Sequence, residues 1–293
     1  LLGPWALRGR SFDAVLVYAP SPLLQALPAI PIAWLKRAPL AVWVQDLWPE
    51  SLSATGFIRN QRVLSAVRQA VRLIYRHTDS ILIPSEAFRE PIAAIAPKPA
   101  RIHYYPNAWS GEGLKAQASE AARQLASEIA QGFSIVFAGN LGTAQALDTV
   151  VDAARRLQAA GSPVRIYLIG SGSLSDWLAQ QVQEHGLRNL LLPGRFAPTD
   201  IPTLLAAASA VLLTLRDEPI FAYTVPSKLQ AYLAAGRPII AAINGEGARL
   251  VQDADAGLSC PAGDAVALAK AMQMMHGLDE DRRAAMGENA SRY

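Results

Sequence analysis

The chain predicts an α/β protein made of two consecutive units with doubly wound parallel sheets, on three observations. Short apolar runs rich in Val, Ile and Leu recur through the 293 residues, each followed by a glycine- or proline-bearing turn and a stretch of helical periodicity. Runs that are apolar on both faces belong to strands covered by helices on either side. The series is interrupted once, at Ala108–Gly132, where Ala, Gln and Glu dominate, so residues 1–107 and 133–293 read as separate units around a linker at 108–132. No short repeat runs through either unit.

In the first unit Phe12–Tyr18 predicts a buried strand, because Val15, Leu16 and Val17 are contiguous, and a proline-rich turn at Ala19–Pro22 closes it. A helix or broken helix fills Leu23–Lys36. Leu40–Val44 predicts a second strand that runs into QDLWPES, and ligands of open parallel sheets gather at such carboxyl ends, which marks Asp46, Trp48 and Glu50. Asn60–His77 predicts a helix with Leu64, Val67, Val71 and Ile74 on one face and Arg68, Arg72 and Arg76 stacked on another. That arginine stripe fits either a solvated face or contact with an anionic membrane surface. Ser80–Ile83 and Arg101–Tyr105 supply further strands. The linker opens with Gly111 and Gly113 and contains one polar helix.

The second unit alternates regularly. Strand Ser134–Ala138 precedes helix Gln145–Ala160, strand Val164–Ile169 precedes helix Ser173–His185, and strand Asn189–Leu192 precedes a short helix from about Asp200. After strand Ala210–Leu215 comes PSKLQAYLAAGRP, Pro226–Pro238. Pro226 suits a first helical turn, Ser227 can satisfy a free amide there, and Leu229, Tyr232 and Leu233 share an inward face until Gly236 ends the helix. Strand Pro238–Ala242, a turn at Asn244–Gly247, strand Gly257–Cys260 and two helices complete the chain.

The totals exclude several classes. A hydrophobic fraction of 51% supports two packed cores, and no run of 18 uncharged apolar residues is present to span a membrane. The single cysteine, Cys260, rules out an internal disulfide framework and a cysteine-based zinc site, and reads as buried strand filler. His77, His103, His185 and His276 have no ligand spacing, so no metal site is expected. Residues 1–107 hold 12 Lys and Arg against 6 Asp and Glu, whereas the rest hold 15 against 18. The basic first half suits an anionic surface, and without zinc-finger or RNA-binding strand motifs a membrane leaflet is favoured over nucleic acid. The opening LLGPWALRGR lacks signal-peptide order, and the expectation is a fragment of a longer chain.

Three strand ends of the second unit fall on one sheet edge: Gly139-Asn140-Leu141-Gly142, Gly170-Ser171-Gly172, and Arg216-Asp217-Glu218 leading to Lys228. Gly139 and Gly142 would admit backbone amides to a pyrophosphate, and Gly170 and Gly172 would leave room for a ribose or base. The helix start after Pro226, with Lys228 beside it, would favour negative charge, although an ordinary helix with a proline start and a glycine stop fits the same residues. Neither G-x-G-x-x-G nor G-x-x-x-x-G-K-[ST] is complete, and no G-x-S-x-G elbow occurs, which removes nicotinamide chemistry, P-loop hydrolysis and serine hydrolysis. Asp253-Ala254-Asp255 lies in a late turn and reads as surface.

FAGNLGTAQALDTVVDAA, LIGSGS, LPGRF, PSKLQAYLAAGRPII, NGEGARLV and AGLSCPAGD, with QDLWPES, resemble glycosyltransferase family 4, in the branch related to bacterial L-fucosamine transferases. The resemblance covers nearly the whole chain. It implies a GT-B fold, two Rossmann-like domains facing across a cleft, with the first lacking its opening Gly-rich strand and helix. It also implies retaining transfer from a nucleotide sugar, here a UDP-sugar, to a saccharide acceptor, lipid-linked at the cytoplasmic face of the inner membrane. The nucleotide sugar is a substrate, and neither a resident cofactor nor a metal is implied. Donor-binding residues would be Gly139, Asn140, Gly142, Gly170, Gly172, Ser227, Lys228, Gln230 and Glu246, and catalysis would fall to Asp46, Glu50 and Lys228. The family's Glu-x7-Glu pair aligns with Tyr223 and Ala231, its basic residues after the first strand with Asn140 and Gln145, and its acceptor-side His with Gln45. Those departures keep two alternatives open: a sugar-nucleotide 2-epimerase of the same fold, and a non-catalytic nucleotide-sugar-binding module.

Overall fold

A computed structural model describes residues 7, 9–54, 60–98, 101–108 and 118–293, so the opening LLGPWA, Gly111 and Gly113 lie outside the described residues. The chain divides into two compact units, residues 1–107 with 218–225, and residues 108–217 with 226–293.

The first unit contains β1 (Val15–Ala19), a 3-10 turn at Leu23–Ala26, α1 (Ala29–Lys36), β2 (Leu40–Val44), α2 (Glu50–Ala54), α3 (Gln61–His77), β3 (Ser80–Ile83), α4 (Arg89–Ala93) and β4 (Ile102–Tyr104). Its strands form a four-stranded parallel sheet in the order β1-β2-β3-β4. Val42, Val44, Ile81 and Ile83 point into a core closed by Val71 and Ile74 of α3, the face expected from its periodicity. Asn60 starts α3 by accepting the Arg62 amide, which satisfies one of the open N–H groups of the first turn.

The opposite face of this sheet corrects the reading of the first strand as buried, because Leu16 and Tyr18 are exposed at 60% and 55%. Tyr18, Trp43 and Tyr105 stack edge to face there, with ring centroids 5.3 and 5.0 Å apart. They cover one another instead of lying under a helix. Close to that edge the Trp43 indole N–H donates to the Tyr105 carbonyl at 3.1 Å.

A further element joins this unit from far along the sequence. The short helix α9 (Pro219–Tyr223) buries Ile220 in the first core, and the Ser85 hydroxyl donates to the Tyr223 carbonyl at 2.6 Å.

The second unit starts with α5 (Glu120–Ile129). This is the polar helix expected inside a linker, yet Ala122, Leu125 and Ile129 are buried, so it is an integral layer of the unit. Ser119 caps it by accepting the Ala122 amide, and donates in turn to Asp200 at 3.0 Å. Then follow β5 (Ser134–Ala138), α6 (Leu147–Ala159), β6 (Arg165–Ile169), α7 (Ser175–Glu184), β7 (Leu190–Gly194), α8 (Ile201–Ala207) and β8 (Ala210–Thr214). The last elements are α10 (Ser227–Ala234), β9 (Ile239–Ala242), α11 (Glu246–Asp253), β10 (Gly257–Cys260), α12 (Ala265–Gly277) and α13 (Glu280–Arg292).

All six strands are parallel, in the order β10-β9-β8-β5-β6-β7. Every residue of β5, β8 and β9 is buried, which explains why their sequences are apolar apart from Ser134 and Thr214 at the strand ends. The order reverses between β5 and β8, and in open parallel sheets the crevice outside such a reversal receives ligands. Cys260 is half-buried on the terminal strand rather than enclosed, and burial pushes its thiol up to about 11, with Asp264 adding to the shift.

Candidate functional site

The pairing of β5 with β8 stops at Val136–Val211, so the N–H and C=O of Ala138 on that side have no strand partner. The Tyr232 hydroxyl fills both places, accepting from the Ala138 amide at 3.0 Å and donating to its carbonyl at 3.3 Å. Burial raises the pKa of this phenol, which keeps it neutral and able to do both. Through this one side chain α10 is fixed under the carboxyl end of β5.

Pro226 takes the capping position of α10 with extended backbone (φ −60°, ψ 134°), rather than the first helical turn, and the Ser227 side chain makes no capping bond. The expectation for Ser227 is thereby corrected: its hydroxyl leaves the first amides of the helix open. Gln230 is half-buried on the same helix.

Next to Ala138 the chain turns sharply. Gly139 (φ +149°) and Gly170 (φ +146°) occupy backbone regions that side chains rarely enter, and a Cβ on Gly170 would lie 1.8 Å from the Gly139 carbonyl oxygen. The bends are joined by hydrogen bonds, from Gly139 N–H to Ile169 C=O at 2.9 Å, Leu141 N–H to Ser171 C=O at 3.0 Å and Gly170 N–H to Gly194 C=O at 2.8 Å. A Cβ on Gly172 would fall 2.5 Å from the Leu141 carbonyl oxygen. The space that a side chain would take at Gly170 and Gly172 is thus filled by neighbouring backbone. Gly142 is crowded by the exposed Asn140 side chain, 2.5 Å from where a Cβ would stand.

Outside these bends lies a hollow of about 450 Å³, lined among others by Gly139, Asn140, Gly170, Ser171, Arg195 and Phe196. Lys228 is not in its lining but adjoins it, since a Cβ on Gly139 would sit 2.5 Å from the Lys228 Cε. The ammonium lies 3.8 Å from the centroid of the Phe137 ring and donates to Gln145 Oε1 at 2.5 Å. Burial brings this lysine down to about 7. The fold therefore gathers Gly139, Asn140, Gly142, Gly170, Gly172 and Lys228 at one edge. A wider groove of about 770 Å³ between Arg155 and His185 contains none of them.

Arg195 and Phe196 line the hollow without having been singled out, although LPGRF is a strand end of the same kind as the glycine bends. Among the described residues Arg195 makes no hydrogen bond or ion pair, leaving an exposed cation at the rim. Glu246 is 7% exposed, and both its carboxylate oxygens accept from Arg249 within α11, at 2.7 and 2.9 Å. Asp253 also pairs with Arg249 and Asp255 pairs with Arg282, and no metal-binding cluster occurs among the described residues.

In the first unit Asp46 follows β2 and is half-buried, its Oδ2 accepting from the Ser21 hydroxyl at 3.2 Å and the Trp48 indole at 3.1 Å. Glu50 heads α2 and accepts from Arg68 at 3.0 Å. The pKa of the buried Tyr75 hydroxyl is raised by burial first and then by the charges of Glu50 and Asp46. Gln45 accepts from Asn107 at 2.8 Å, while its buried amide nitrogen has no partner among the described residues. Arg72 and Arg76 are exposed along α3. No described helix is long and apolar enough to cross a membrane.

Two parallel-sheet α/β units, the second with a Rossmann strand order and glycine bends at its reversal, define the GT-B class of fold. Residues 132–276 match the family Glycosyl transferases group 1, and residues 2–108 match the Glycosyl transferase 4-like domain. The chain belongs to the family 4 glycosyltransferase superfamily. It is 25% identical over 300 residues to "Probable glycosyltransferase WbjE" of Pseudomonas aeruginosa, covering 98% of this chain and 73% of that protein. Its fold is similar to that of HepE from Anabaena, solved in complex with UDP, at TM-score 0.75 and 20% identity, over 95% of this chain and 73% of the other. It is also similar to a UDP-forming trehalose-phosphate synthase from Burkholderia xenovorans, at TM-score 0.74 and 13% identity, over 98% and 70%.

Proposed function

We propose that this protein is a retaining glycosyltransferase that moves a sugar from a UDP-sugar to a lipid-linked saccharide. One observation carries the reading: at the strand-order reversal, the glycine bends after β5 and β6 and the Lys228 ammonium converge beside a single hollow. Of the structurally similar proteins, HepE was solved with UDP and the trehalose-phosphate synthase is UDP-forming, which supports UDP as the nucleotide. The similarity to WbjE supports glycosyl transfer over epimerisation or binding alone.

Transfer requires stabilisation of the departing diphosphate and removal of the proton from the attacking hydroxyl. Lys228 and the open amides at the start of α10 meet the first need. In a front-face displacement the leaving phosphate oxygen takes the proton, and Asp46 and Glu50 orient acceptor hydroxyls without acting as strong bases. With Glu246 engaged by Arg249, Gln230 is the remaining candidate for the ribose. The basic stripe of α3 would hold the enzyme on an anionic leaflet near its acceptor.

Incubation with several UDP-sugars, with and without lipid-linked acceptor, tests the reading. Transfer releases UDP only when acceptor is present. Sugar conversion without acceptor would favour the epimerase, and binding without either reaction would leave a non-catalytic module.

A further inference from the structure

Lys228 is held in an unusual way for a surface-edge lysine. Its ammonium contacts the carboxamide oxygen of Gln145, 2.5 Å away, and the face of the Phe137 ring, so a neutral dipole and a ring quadrupole hold the cation without a carboxylate. Gln145 is itself well anchored. It ends the short 3-10 turn Thr143–Gln145, its amide donates to the Gly142 carbonyl at 3.1 Å, and Ala146 follows in left-handed backbone (φ 46°).

Several charged groups on adjoining segments are engaged with other partners, whereas Arg195 at the rim of the hollow and Glu218 after β8 are exposed and make no ion pair among the described residues. Arg216 donates to the Thr143 carbonyl and pairs with Asp148 at 3.7 Å, Asp217 accepts from Asn244 at 2.8 Å, and Tyr232 of the same helix is engaged by Ala138. The lowering of Lys228 to about 7 has burial as its cause, with no charged neighbour contributing. This fits a cation retained by weak partners and available to a stronger one.

We infer that Gln145 is a positioning residue for Lys228: its side-chain oxygen holds the ammonium against Phe137 beside the glycine bends and yields it to an entering anion. The proposed function identifies that anion as the UDP diphosphate, but the positioning itself rests only on the geometry. Glutamine suits the task where the charged alternatives do not. A carboxylate would pair with the ammonium permanently and compete with phosphate, and a second cation would repel it.

Competitive acylation of the protein from pH 5 to 10, read by peptide mass spectrometry, gives the pH of half-labelling of Lys228, with exposed Lys270 as internal reference. Gln145→Glu should move this midpoint up by about one pH unit or more, and Gln145→Leu should move it down, with Lys270 unchanged in both. Midpoints identical in wild type and both variants would overturn the inference. A purely structural role would lower the melting temperature and leave the midpoint where it was, which also overturns it. UDP added to wild type should raise the midpoint and protect Lys228. If UDP has no effect while the Gln145 variants still shift it, the diphosphate reading fails and the positioning role stands.

Discussion

In the function proposed above, Lys228 acts through its state of charge. With its pKa lowered to about 7 by burial, the ammonium is half protonated near neutrality, and an entering diphosphate favours the protonated form. UDP binding should therefore take up a proton, and affinity should fall as pH rises from about 7 to about 9. Calorimetry in two buffers of different ionisation enthalpy measures that uptake, and a flat affinity over this range would contradict it. Folding carries the opposite sign. The folded pKa lies below the ordinary 10.5, so the unfolded chain binds more protons between pH 7 and 10.5, and stability rises through that window. The penalty for burying the cation is complete below pH 7. Lys228→Met keeps the methylene packing and deletes the charge. It should weaken UDP binding by about 1.5–3 kcal/mol, roughly ten- to a hundredfold, with no loss of thermal stability at pH 6.

At the scale of elements, the glycine bends hold the site together. Gly170→Ala places a methyl group within 1.8 Å of the Gly139 carbonyl oxygen, which must separate the two bends. The expected result is loss of UDP binding and a cooperative transition at lower denaturant, read by fluorescence titration and urea unfolding. The α3 helix yields a prediction of another kind. Arg68 is tied to Glu50, whereas Arg72 and Arg76 make no ion pair among the described residues. Replacing all three by Gln should weaken binding to anionic vesicles by about 1 kcal/mol for each cation engaged, and unchanged binding would move the membrane surface elsewhere. Most of this layer was legible in the chain, because buried parallel strands such as β5, β8 and β9 are apolar at every position but Ser134 and Thr214, and α3 repeats its apolar residues at helical spacing. What escaped is contact between distant residues. Nothing near Gln145 signals an ammonium 83 positions away, nor does Tyr232 announce that it completes the edge of β5. The glycines mark the bends at this sheet edge, but a single sequence reports that a side chain is missing and not that neighbouring backbone fills its room, as at Gly170 and Gly172.

On the scale of the molecule, the boundary between units is not a single point in the chain. Residues 218–225 leave the second unit, bury Ile220 in the first core and bond Ser85, and then return. A linker read from composition marks only the passage at 107–108, because an eight-residue excursion has no compositional signature. Ile220→Ala, at a site 8% exposed, should destabilise the first unit by about 2 kcal/mol while the unfolding of the second is unchanged, resolved as separate transitions by scanning calorimetry. A shift in the second transition alone would show that the segment had been assigned to the wrong core.

The excursion has a mechanical corollary. The polypeptide crosses from one unit to the other three times, after Asn107, after Asp217 and after Val225, and the last crossing ends at the proline that heads α10. A displacement of one body against the other must be absorbed at those crossings, and the third lies two peptide bonds before Lys228 in the chain. Traction on the first unit would thus be delivered along the backbone to the turn that opens α10, just ahead of Lys228.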